Sequence, residues 1–152
     1  MLRARLFEKA MSRGNKARRD AFISIPAETK QLLRHLIPAI QHMPKVDRID
    51  GVGAEMKRAA WGILREYHMA YRCQESRTRH LEEMVGWYGV LVDALEIACL
   101  QGILADGFKL NIAMRLERIE EGIQKWHNSI RQERGQGTEP LGLWADPPGT
   151  DM

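Results

Sequence analysis

Residues 111–130, NIAMRLERIEEGIQKWHNSI, decide the fold. Ile112, Leu116, Ile119, Ile123, Trp126 and Ile130 recur at steps of four, three, four, three and four. At 3.6 residues per turn these steps keep the apolar side chains on one face, so the segment is an amphipathic helix with a single apolar seam. Just upstream, Ala105-Asp106-Gly107 reads as a turn, because glycine accepts the left-handed conformation that closes a helix. Before it, Leu81, Met84, Tyr88, Leu91, Leu95, Ala98 and Gly102 mark another helix. Thr78 is placed to cap that helix, with Glu82 and Glu83 at the favourable end of its dipole.

Farther upstream, Val52, Met56, Ala59, Ile63, Tyr67 and Ala70 step by threes and fours through a helix from about Val52 to Cys73, and Gln74 to Arg77 form a short turn. Pro44 to Gly51 is polar and turn-like. Leu32, Leu33, Leu36, Ile37, Ile40 and Met43 define the first helix, opened by a Ser24 cap and Pro26, with Glu28 in its first turn. Pro38 should bend that helix, and Pro44 should end it. No β-branched alternation and no hairpin signal occurs. Four such helices with short connections predict an all-α fold, an up-down-up-down antiparallel four-helix bundle over residues 25–132. Residues 1–24 read as a basic N-terminal arm, and the Pro/Gly-rich residues 133–152 as a disordered C-terminal tail.

The whole chain, 152 residues, suits one domain with its own core. Cys73 and Cys99 are too few for a disulfide scaffold or a zinc site. The longest apolar-rich stretch, Val85 to Ile103, is broken by Asp93 and Glu96, so no membrane span is expected. Met1 to Asp20 has no apolar signal core, and the expectation is a cytoplasmic protein. No glutamate is followed three positions later by a histidine, the pattern from which helical bundles build di-metal centres. His35, His42, His68, His80 and His127 are scattered and read as surface or half-buried helix residues. Gly51-Val52-Gly53 lacks the lysine of a phosphate loop, and no G-x-S-x-G occurs. The adjacent carboxylates Glu82-Glu83 and Glu120-Glu121 are expected to face water. The sequence therefore predicts neither an enzyme nor a cofactor.

Charge is unevenly placed. The formal net is +3, but residues 1–20 carry seven basic side chains against Glu8 and Asp20, while residues 84–152 carry six basic against ten acidic. Such polarity fits either an anionic partner or a solvated basic arm. The sharper feature lies in the second helix. Arg58, Arg65 and Arg72 are seven apart and share one face, Lys57 flanks it, and Arg77 and Arg79 follow just beyond the helix end. The row extends over ~21 Å at 1.5 Å per residue, long enough to follow several phosphates, which the guanidinium fork suits. Glu55, Glu66 and Glu75 are its local neutralisers. Trp61 and Trp87 lie off the main apolar stripes, where they either widen the core or meet another chain.

His42-Met43-Pro44-Lys45-Val46-Asp47-Arg48, then Gly51-Val52-Gly53 opening a helix that carries Ala70-Tyr71, resembles a small bacterial four-helix-bundle family. That family includes the accessory variability determinant of diversity-generating retroelements and the proteins encoded in ribosomal-RNA intervening sequences. The last helix, from Ile119 through Gly122-Ile123 to Trp126 and Ser129, is similar to the family's closing helix, except that Gln124-Lys125 stand where small residues are expected. The resemblance covers roughly residues 28–130. It implies a homopentameric ring that binds a reverse transcriptase and its template RNA, or an RNA/DNA hybrid, during error-prone copying. Lys57, Arg58, Arg65 and Arg72 would then lie on the nucleic-acid surface. Five chains would present about +15 together, a multivalent display that raises affinity without new contacts. The rival expectations are a stand-alone RNA-binding bundle of the intervening-sequence type and a protein–protein adaptor that docks a helix on Trp61 and Trp87.

Overall fold

A computed structural model describes residues 23–104, 106–133 and 135. The expected basic arm falls outside these residues except for Ile23 and Ser24, and the expected tail falls outside them except for Glu133 and Gly135. Among the described residues the fold is entirely helical: α1 (Ile25–Gln41), α2 (Lys45–Ile49), α3 (Val52–Arg72), α4 (Arg77–Leu100) and α5 (Asp106–Glu133). The four long helices form a bundle. α3 packs most extensively on α4, α4 also meets α5, α5 meets α1, and α1 returns to α3.

α1 begins as its sequence dictates. Ser24 is extended, and its hydroxyl accepts from the Ala27 amide at 3.3 Å, with proline in the first turn. The helix runs through Pro38 and stops at Gln41, with Pro44 two residues past its C-cap His42 and at the N-cap position of α2. The expected linker thus contains a helix of five residues, none of them buried. Its Asp47 backbone lies where Gly51 and Gly53 leave room: a Cβ on Gly51 would stand 2.8 Å from Asp47 Cα, and one on Gly53 2.9 Å from Asp47 O.

The reversal between α4 and α5 differs from the expectation. α5 already contains Gly107, and the left-handed glycine is Gly102, at φ +70°. Gly102 N donates to Cys99 O at 3.1 Å and Ile103 N to Ala98 O at 2.9 Å, the paired bonds of a Schellman motif. Ile103 then packs against the core, which fixes the motif at this glycine. α4 starts one residue before Thr78, after Ser76, with no side-chain cap.

The seams meet in one core. Leu32 and Leu36 of α1, Met56 and Ile63 of α3, Leu81, Met84 and Leu91 of α4, and Leu116, Ile119 and Ile123 of α5 are fully buried. Each such side chain contributes ~1.5–3 kcal/mol over its exposed state. A smaller cluster, Leu33, Ala60 and Leu64, joins α1 to α3. Close approach is local: Gly62 lies under the Trp87 indole, where a Cβ would come within 2.3 Å of the ring. Gly122 admits Ile25 in the same way, its Cβ position lying 2.9 Å from Ile25 Cγ1.

Several polar groups are interior. Glu28 of α1 accepts from Arg115 and Arg118 of α5, each at 2.8 Å. Burial alone would push the Glu28 carboxyl up. The two guanidinium hydrogen bonds and their charges outweigh it, and hold the carboxyl below its ordinary value of 4.5. Glu66 and His80 form a buried pair 2.7 Å apart, joining α3 to α4. Glu120 does not face water as expected; it is buried, and its Oε2 lies 3.4 Å from the Tyr88 hydroxyl. His80 and His127 are likewise buried rather than superficial.

Candidate nucleic-acid interface

α3 carries two seams. Met56, Ala59, Ile63 and Ala70 point into the core with no exposure. On the opposite side Arg58, Trp61, Arg65, His68 and Arg72 recur at three, four, three and four, and all are exposed. The same helical period that buries one set turns the other outward.

The arginines differ in their surroundings. Arg58 pairs with Glu55, and Arg65 Nε stands 3.5 Å from Glu66 Oε1, yet their side chains remain 62% and 65% exposed. The Arg58–Glu55 pair is exposed on both sides and worth only ~0.2–1 kcal/mol, so a phosphate can replace that carboxylate at small cost. Glu66 is buried against His80, and Arg65 touches only its edge. Arg65 also lies over the Trp87 ring, 5.7 Å from its centroid, which braces the guanidinium while leaving it accessible. Arg72 has no ion pair among the described residues. Lys57, half-buried, flanks the row.

Arg77 and Arg79 part company. Arg79 is exposed and has no ion pair among the described residues. Arg77 turns back onto α3: its Nε donates to Ala70 O at 2.8 Å, one terminal nitrogen reaches Tyr71 O at 3.3 Å, and its guanidinium covers Trp126 at 5.9 Å. It thereby satisfies carbonyls at the negative end of α3. The six basic residues thus comprise an outward row of three arginines, a half-buried lysine flanking it, an exposed arginine beyond it and one helix-capping arginine.

The aromatic residues complete the picture. Trp87 is half-buried on Gly62, but Trp61 is 59% exposed in the middle of the arginine row. At the C-terminal end of α3, Tyr71 lies nearly parallel to Tyr67, with centroids 6.4 Å apart and an interplanar angle of 13°. Tyr67 in turn rests on Trp126 at 5.3 Å. The four-residue step from Tyr67 to Tyr71 is visible in the sequence, whereas the partnership with Trp126 is tertiary and has no local signal. Apolar side chains are also exposed along α4, at Val90, Ile97 and Leu100, the last at 71%.

Among the described residues no group of three His, Cys, Asp or Glu side chains is placed to hold a metal, and no helix is long and apolar enough to cross a membrane. Comparison with family models, with curated proteins and with solved structures gives no match to this chain.

Proposed function

We propose that this chain is a non-catalytic RNA-binding accessory protein of a diversity-generating retroelement. In this reading an up-down-up-down antiparallel bundle, with a basic N-terminal arm and a disordered C-terminal tail, assembles in the cytoplasm into a homopentameric ring. The ring holds template RNA, or an RNA/DNA hybrid, beside a reverse transcriptase during mutagenic copying. The observation that carries it is the outward row Arg58, Arg65 and Arg72, accessible along ~21 Å of α3 and only weakly paired. Antiparallel order is supported by contacts such as Gly62 with Trp87 and Glu66 with His80, in which the later residue on α3 meets the earlier one on α4. Self-association is supported by the apolar residues that α4 leaves in water, Val90, Ile97 and Leu100. Recognition rests on backbone charge and shape, since no base-reading motif occurs.

The test is binding of template RNA at low salt by the chain with Arg58→Gln, Arg65→Gln and Arg72→Gln combined. A loss of at least tenfold is expected, and undiminished binding rejects the reading. Light scattering should return five times the chain mass; a monomer removes the ring. A reverse-transcriptase gene and paired near-identical repeats beside the coding sequence are expected. Their absence moves the choice to the stand-alone RNA-binding bundle, and co-purification with a protein but no nucleic acid moves it to the adaptor.

A further inference from the structure

The arginine row is interleaved with a ring that the fold does not use. Trp61 is 59% exposed although the core lies one helix face away, and it is bracketed by Arg58 and Arg65. Ten residues on, ~15 Å along the helix axis, Tyr71 is 67% exposed. Tyr71 is the outermost rung of an ordered ladder, held nearly parallel to Tyr67, which rests on Trp126, which Arg77 covers. The ladder fixes the inner side of Tyr71 and leaves its outer side to solvent. Along the axis Arg65 stands between the two rings and Arg72 follows Tyr71 by one residue. Tyr71 is turned about 80° from Trp61 around the helix, so the cationic forks and the open ring faces line adjoining sides of α3.

That arrangement selects among nucleic acids. A duplex offers phosphates but keeps its base faces stacked along its length, so exposed rings have nothing to stack on. A single strand leaves its base faces open, and stacking on aromatic side chains tolerates any sequence because every base has a π-face. We infer that the exposed side of α3 takes single-stranded RNA, with unpaired bases on Trp61 and Tyr71 and phosphates on Arg58, Arg65 and Arg72 beside them. The inference rests on the RNA-binding reading above and adds the strandedness of the ligand and the contacts that select it.

The experiment uses the full chain, a short cytidine–adenosine repeat RNA that cannot pair with itself, and a blunt RNA duplex of equal length. The single strand should bind more tightly. Trp61→Ala and Tyr71→Ala should each lower its affinity by about 5- to 100-fold, while Trp61→Phe retains most of it and duplex binding stays unchanged. Thermal melting and particle mass are read in parallel, and both should match the parent chain. Equal affinity for duplex and single strand, unchanged single-strand affinity in both ring variants, or a change in particle mass with Trp61→Ala each overturns the inference. Those results leave the arginine row standing. Full RNA binding by the triple arginine variant instead overturns the underlying reading.

Discussion

The inner and outer faces of α3 are built from the same period but held by different forces. Inside, Met56, Ala59 and Ile63 have no contact with water, and Gly62 is obligatory because the Trp87 ring occupies the space of a side chain. Outside, Arg58 meets Glu55 in an exposed pair, and Arg65 touches the edge of Glu66 and lies over the Trp87 ring, while Trp61 stays largely in water. The inner face answers to packing, where a single methylene is felt. The outer face is free of that constraint: its period is the complement of the inner seam, and only the choice of arginines at those positions bears on the proposed polyanion.

The contrast breaks first where packing is closest. Ile63→Ala or Leu116→Ala should cost about 2–5 kcal/mol, read from the denaturant midpoint. A loss below 1 kcal/mol would show that the seam is not the core. Gly62→Ala should cost about 1–3 kcal/mol by overpacking, and combining it with Trp87→Ala should cost less than the two single losses added. Additive losses would separate the glycine from the indole.

Glu28 sharpens the comparison because it is charged yet belongs to the interior. Glu28→Gln should destabilise by about 1–3 kcal/mol at neutral pH by weakening two guanidinium contacts. The folded carboxyl titrates below its ordinary value of 4.5, so its contribution is complete above that value and is lost as pH falls through the lower, folded one. The gap between parent and variant should therefore close in acid. A gap that stays constant from neutral pH into acid contradicts the clamp between α1 and α5. The smallest stability effect is expected outside: Arg58→Gln, Arg65→Gln and Arg72→Gln should each stay within about 0.5 kcal/mol of the parent.

What could be read in advance follows the range of the forces. The α5 seam from Ile112 to Ile130 is a local period, and it occupies the core as its spacing requires, with Trp126 half-buried. The Ser24 cap is equally local. The choice of Gly102 over Gly107 for the reversal depends on Ile103 reaching the core, which no neighbouring residue announces. α2 buries none of its own side chains and so shows no apolar period; its place comes from the room left by Gly51 and Gly53. Burial of Glu120 was hidden because its partner Tyr88 lies 32 residues earlier. At the candidate interface the seven-residue spacing placed Arg58, Arg65 and Arg72 on one face. The capping role of Arg77 and the ladder from Trp126 to Tyr71 arise only when α3, α4 and α5 meet.

The most direct measurement is the salt dependence of RNA binding. Removing three phosphate contacts with the combined arginine-to-glutamine variant should flatten the slope of log K against log salt by roughly 2 for single-stranded RNA. A variant that binds more weakly but keeps the parent slope, or one that binds as the parent does, would mean that the outer row of α3 does not touch phosphate.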